Sequence, residues 1–405
     1  MQKLNYFTPL PPLKSGISDY SLELLKELSK YFEITVYTDR GYEPEKNNFY
    51  QIKDYKDFNN KNPVIYNIGN HCFHAYIYKT LLKKPGIVIL HDSNLSHLNY
   101  SMMQEFWSRK RFLREVYKIH GLKAVLNYLR LFNYFRKLKN IQKNQIKFKK
   151  FMEFKERLHF SYPMNKNIIK NSKAIITHSE YVANIAKNIK KHIPIKIIKH
   201  GSFILKPKIS KSYIREKNKL NENKFIICSF GKIQKHKRIS QCLIAFKKFS
   251  EKNKNSKYLI IGEGEETINI KRLINNLNIK DKVIITGYLP FSKAIEYIYA
   301  SDVGINLRYP STGATSGSII KSLSIGTPCI ISDIPENRHF PDSCVFKIKK
   351  NKNEIENIIK VLEYLYNEPK TNKKISSNAI NYINKHHLWE NKAKEIANFI
   401  NEVYK

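Results

Sequence analysis

Four short stretches carry the residue types most able to do chemistry. In Phe230-Gly231-Lys232-Ile233-Gln234-Lys235-His236-Lys237-Arg238, four cations fill seven positions behind a glycine. That density suits an anion, and two of these cations converging on a diphosphate would stabilise a leaving group without a metal. Asn306 to Ser318 is rich in hydroxyls and glycines and punctuated by Arg308. It should enter a helix near Thr315, its hydroxyls and glycines forming a second anion cradle at a helix N-terminus. In Pro9 to Asp19, Gly16 would let backbone approach a ligand where free N–H groups point. His91, with Asp92, closes the apolar run Gly86–Leu90; it titrates near neutrality and can donate to a hydroxyl or polarise a reacting group. Each stretch has a structural alternative: a capped turn, a histidine satisfied by backbone, a solvated basic loop.

Such loops work together only if strands and helices alternate around them. Short apolar runs do alternate with amphipathic stretches from end to end, as in parallel sheets covered on both faces. The runs predict strands at Leu4–Phe7, Ile34–Tyr37, Val64–Asn67, Ile87–Leu90, Ala174–Thr177 and Ile195–Ile198. A second series follows Gly201: Phe225–Phe230, Tyr258–Gly262, Val283–Gly287, Val303–Leu307 and Pro328–Ser332. A helix over Asp19–Tyr31 should be capped by Ser18, and Leu388–Tyr404 should form the last helix. The polar, lysine-rich stretch Lys206–Asn223 reads as a linker between two doubly wound domains. All four loops fall at the carboxyl ends of strands, where open α/β sheets bind ligands.

Composition bounds the function. With 405 residues, 42% hydrophobic and 12% aromatic, the chain can bury two sizeable cores, which excludes disorder. Lys and Arg number 72 against 34 Asp and Glu, a net of +38 that would attract phosphates, anionic lipid or nucleic acid. The five cysteines are scattered, with neither C-x-x-C nor zinc spacing, so a reducing compartment and no metal site are expected. No signal peptide is visible and no run approaches the length of a membrane span.

In order and spacing, these segments resemble the GT-B-fold retaining glycosyltransferases of family 4. The resemblance covers nearly the whole chain. Its acceptor half is carried by Pro9 to Tyr20, Tyr66 to Asn70, Phe73 to Tyr78, Leu90-His91-Asp92 and His178 to Val182. Its donor half is carried by Gly231-Lys232…Lys237, Ile261-Gly262-Glu263-Gly264, Asn306 to Ser318, Gly326-Thr327-Pro328 and Ser332-Asp333. The resemblance implies two facing Rossmann-like domains. Residues 1–203, with a basic helical insert at about 100–165 and completed by the C-terminal helix 386–405, would form the acceptor side; residues 204–385 would hold the donor. It further implies a nucleotide-diphosphate sugar as donor and no separate cofactor. Lys232, Lys237 and the backbone around Thr315, Ser316 and Gly317 would meet the diphosphate, with Gly16 beneath it and His91 beside the donor sugar. The acceptor implied is a glycan or lipid-linked glycan of cell-surface polysaccharide assembly. The family commonly carries a Glu after the Gly of the fourth loop and another farther along the chain, gripping the donor sugar and ribose; Ala314 and Ser322 stand in those places here.

Residues 109–150 hold fourteen Lys or Arg and one acid, Glu115, a net of +13. Leu122, Val125, Leu126, Leu129 and Phe132 share one helical face, widened by Tyr128, Tyr134 and Phe135 beside Arg130, Arg136, Lys137 and Lys139. A basic helix flanked by aromatics suits an anionic bilayer, so the protein is expected in the cytoplasm, peripheral on the inner face of the cytoplasmic membrane. The structural alternative is a helical pair capping the first domain. A basic nucleic-acid-binding protein is the rival class, but no RNA or DNA module is recognisable; a non-catalytic glycosyltransferase-like subunit is a third reading, prompted by Ala314.

Overall fold

The computed structural model describes the chain except residues 14, 40–42, 46, 60, 138–144 and 206–208. Among the described residues the apolar runs build two parallel sheets. The first contains β1 (Gln2–Phe7), β2 (Phe32–Thr38), β3 (Gln51–Asp54), β4 (Val64–Ile68), β5 (Ile87–Leu90), β6 (Ala174–Thr177) and β7 (Ile195–Ile197), in the order β3-β2-β1-β4-β5-β6-β7. The second contains β8 (Phe225–Phe230), β9 (Ser256–Ile261), β10 (Val283–Gly287), β11 (Val303–Asn306), β12 (Cys329–Ser332) and β13 (Val345–Ile348), in the order β10-β9-β8-β11-β12-β13. Both are doubly wound, with the strand order reversing between β1 and β4 and between β8 and β11. Loops on either side of such a reversal splay apart and leave a crevice at the carboxyl ends.

Central strands β4, β5 and β6 are buried at every residue, which is why they read as unbroken apolar runs. Edge strand β3 (Gln-Ile-Lys-Asp) buries no residue fully and has no apolar run, and β13 interrupts Val345 and Phe346 with Lys347. Neither strand is predicted from sequence for that reason.

The chain divides into two units: Met1–Lys199 with Thr312–Thr315 and Lys392–Lys405, and His200–Ser311 with Ser316–Asn391. Of the stretch read as a linker, residues 206–208 lie outside the described residues and Lys211–Lys217 is a helix of the second unit. Arg215 fastens that helix by donating to Ala300 O at 2.8 Å and pairing with Asp302 at 2.7 Å.

In the first unit the helices Ser96–Glu105, Arg109–Lys137 and Gln145–Ser161 follow β5 and share a core of Phe112, Val116, Tyr128, Leu131, Phe132 and Phe151. The single amphipathic face expected there does not exist as such. Gly121, at φ +75°, breaks Arg109–Lys137, and beyond it Ala124, Tyr128, Leu131 and Phe132 turn inward. Leu122, Leu126 and Leu129, at i, i+4 and i+7, stay exposed.

Candidate functional site

The second unit gathers its candidate residues at the β8/β11 reversal. Gly231 follows β8 with φ +116°, a backbone conformation that L side chains rarely adopt, and its N–H donates to Ile261 O at 2.9 Å. The next loop comes close: a Cβ on Gly262 would stand 2.3 Å from Gly231 O. Two loops therefore interlock through backbone, which explains Gly262 in the string Ile261-Gly262-Glu263-Gly264. Over this platform sits Lys237, its Nζ 3.7 Å from where a Gly231 Cβ would be. Ser229, Gly231, Lys232, Lys237, Asn306 and Leu307 are among the residues lining one pocket there.

Lys237 leaves part of its side chain at the surface, but its ammonium is set among protein atoms. Loss of water, and secondarily the nearby Arg308 guanidinium, push its pKa well below the ordinary lysine value. No carboxylate among the described residues pairs with it. Lys232 is exposed at the rim. Arg238, one of the four loop cations read as suiting an anion, is committed elsewhere: its Nε donates to Glu354 Oε1 at 2.9 Å and its second nitrogen pairs with Glu354 Oε2. A buried carboxylate takes Arg238 away from any ligand.

The β11 loop is tied in by Tyr309 N, which donates to His236 O at 2.8 Å. Its helix begins at Gly317, two residues later than the sequence suggests, because Ser316 is the N-cap: Ile319 N donates to Ser316 Oγ at 3.4 Å. The same hydroxyl accepts from Arg308 at 2.9 Å and exchanges a 2.9 Å bond with Ser318 Oγ, which in turn accepts from Asn306 at 2.6 Å. A guanidinium thus rests on the N-terminus of Gly317–Ser324, where the helix dipole already repels cations. Over Gly317 itself lies His200, whose Nε2 is 3.4 Å from a hypothetical Cβ there. Thr315 Oγ1 is buried without a hydrogen-bond partner among the described residues. Ser322, where the family carries its second Glu, is buried and spends its hydroxyl on Ser318 O at 3.0 Å.

In the first unit, His91 extends from the end of β5 and its Nε2 meets Asn67 Oδ1 at 2.5 Å. Asn67 presents its oxygen because its amide nitrogen is used on Ser21 Oγ (2.6 Å) and Thr8 Oγ1 (3.2 Å). Nε2 of His91 is therefore the donor, which places the lone pair of the neutral ring on Nδ1. Tyr20 stands edge-on to the ring at 4.6 Å and His178 lies 5.0 Å away. Asn67 O also accepts from His74 Nδ1 at 2.9 Å; burial lowers His74 and His178 to a pKa of about 4 each. Gly16 is the first residue of Gly16–Leu28, and the cap is Ser15 rather than Ser18, which is buried inside the helix. Among the described residues, a Cβ on Gly16 would meet no atom within 4 Å.

Asn67 and His200 were not singled out from sequence: each is a lone polar residue whose role depends on partners many residues away. Arg130, Arg136 and Lys137 are exposed on the insert helix beside Leu126 and Leu129, and Lys139 lies outside the described residues. Among the described residues no helix is long and apolar enough to cross a membrane, and no three His, Cys, Asp or Glu groups converge as metal ligands.

Residues 210–382 match the family described as glycosyl transferases group 1. An uncharacterized glycosyltransferase of Methanocaldococcus jannaschii is 27% identical over 250 residues, covering 60% of this chain and 62% of that protein. The alpha-monoglucosyldiacylglycerol synthase of Streptococcus pneumoniae is 28% identical over 40% of this chain and 37% of its own length, so the chain spans less than two thirds of either relative. The solved sucrose-phosphate synthase of Thermosynechococcus elongatus superposes with a TM-score of 0.70 at 12% identity, over 100% of this chain and 99% of that one, a likeness of fold. Two doubly wound parallel sheets give the chain the GT-B fold, and the match to glycosyl transferases group 1 covers residues 210–382 of it.

Proposed function

We propose that the protein is a retaining, metal-independent glycosyltransferase that moves a sugar from a nucleotide-diphosphate donor to a glycan or lipid-linked glycan in cell-surface polysaccharide assembly. One observation carries this reading. Lys237, without a carboxylate partner among the described residues, lies over Gly231 with the Arg308 guanidinium in its electrostatic reach, an arrangement that a bound anion would stabilise. A diphosphate fits it. As the bond from the anomeric carbon to the phosphate oxygen breaks, the electron pair passes to the diphosphate, where Lys237, Lys232 and the N–H groups around Ser316 and Gly317 meet the charge. The acceptor hydroxyl forms the new bond on the same face of an oxocarbenium-like sugar and gives its proton to the leaving phosphate. No dedicated base is needed, and His91, oriented by Asn67, positions the sugar.

Thermal shift against a panel of nucleotide sugars and free nucleotides tests this. A ligand at a hundred times its dissociation constant stabilises by about 2.7 kcal/mol, and no shift with any of them would sink the donor site. Membrane attachment is part of the proposal. Exposed Leu122, Leu126 and Leu129 beside Arg130 make an apolar face rimmed by cations, and a relative is named for making a glucosylated diacylglycerol. The protein would work from the cytoplasmic side.

A second reading, a non-catalytic subunit, is favoured by Ala314 and by Ser322, which spends its hydroxyl on its own helix. Ala314→Glu separates the two: raised donor hydrolysis identifies a weak enzyme, while unchanged zero turnover identifies a scaffold.

A further inference from the structure

Apart from the residues used above, the first unit contains a second group of titratable side chains at the carboxyl ends of β4 and β5. Asn70, just after β4, accepts at its Oδ1 from His97 N (2.9 Å) and Leu98 N (3.1 Å), which sets the first turn of Ser96–Glu105 against the β4 loop. His97, half-buried on that turn, lies with its ring 4.1 Å from the ring of His159 of the insert. His159 is 1% exposed, and neither ring nitrogen has a hydrogen-bond partner among the described residues. Tyr100 stands edge-on to it at 5.4 Å, and Lys155 holds its ammonium 4.7 Å above the Tyr100 ring. No carboxylate among the described residues pairs with Lys155.

The electrostatics of this group run one way. Burial first, then Lys155 and His71, lower His97 to about 4; burial, then His97 and Lys155, lower His159 well below the ordinary histidine value. Burial also lowers Lys155. A buried imidazole with two unmet nitrogens forgoes hydrogen bonds it had in water, and the Lys155 ammonium, against a tyrosine ring, has no counter-charge among the described residues. An oxyanion entering between His97 and Lys155 corrects both: it accepts from the ammonium and from imidazole N–H groups, and its charge pairs with that of Lys155. A metal does not, because Lys155 would oppose it.

We infer that His97, Lys155 and His159 form an oxyanion subsite on the first unit, taking a phosphate or carboxylate carried by the acceptor. The inference rests on the glycosyltransferase reading only for the word acceptor; the subsite itself is a property of the first unit.

The full chain labelled with nitrogen-15 histidine tests it, titrated with inorganic phosphate, glucuronate and dihexanoylphosphatidylglycerol, against sodium chloride at matched ionic strength. The His97 ring resonances move saturably with at least one probe at about 10 mM or below, and its titration midpoint rises from about 4. The responding probe tells a phosphate monoester, a sugar carboxylate and a lipid phosphodiester apart. Lys155→Met weakens the response about tenfold or more, and if that variant fails to fold, His97→Gln weakens by the same factor the response read on the His159 ring resonances. The proposal is overturned if no probe moves His97 beyond chloride, or if both folded variants bind like the parent. Nucleotide-sugar thermal shifts on the same samples report on the donor unit alone, so failure of either reading is seen separately.

Discussion

Lys237 and Arg238 are neighbours in one basic loop with different fates. The first ends over Gly231 with no carboxylate pairing it among the described residues; the second is taken up by Glu354, 116 residues away. Lys237→Met is expected to lower donor turnover by about 10²–10³-fold with little change in stability, read by steady-state kinetics beside a urea melt. Arg238→Ala should do the reverse. It strands a buried carboxylate, at a cost of about 3–5 kcal/mol in the urea midpoint, and reaches activity only through folding. Residue type could not separate the two, because the separating fact is a distant carboxylate. Asn67 is a similar case: its side chain sets the tautomer of His91 through Ser21 and Thr8, and no spacing announces that.

Loops and helices divide in a comparable way. Strands buried on both faces were legible as apolar runs, and the glycines of the β8 and β9 loops were legible as a pattern. Their reason, an approach of backbone to backbone, is visible only in three dimensions. Gly262→Ala puts a Cβ 2.3 Å from Gly231 O at φ +142°, so a loss of about 1–3 kcal/mol and a smaller donor-induced thermal shift are expected. The insert was legible as basic and amphipathic but not as to which residues face outward. Phe132 is 8% exposed while Leu122 is 62% and Leu126 47% exposed. Leu126→Ser should therefore reduce retention on vesicles containing anionic lipid, with stability changed by no more than about 0.5 kcal/mol. Equal retention by parent and variant at low salt would remove that face from the membrane reading.

Across the whole molecule, buried histidines make stability depend on pH. His74 and His178 have folded pKa values lowered to about 4 against an ordinary 6.5, so between those values the unfolded chain binds more protons than the folded one. Their contribution is complete above pH 6.5 and is lost as pH falls toward 4, at roughly 1 kcal/mol per pH unit for each. Urea midpoints at pH 7 and pH 5 check the sign, and His178→Gln should flatten the slope.

By itself the sequence determined two doubly wound parallel sheets and the order of the loops at their carboxyl ends. Burial on both faces demands continuous apolar runs, and tight turns demand glycine, so both leave local marks. Tertiary structure alone decided which of four cations is taken up by a carboxylate, which face of the insert meets solvent, and that His159 lies buried with its nitrogens unmet among the described residues. Those outcomes depend on the distance to a partner far along the chain and on the water that partner displaces, neither of which is a property of residue order.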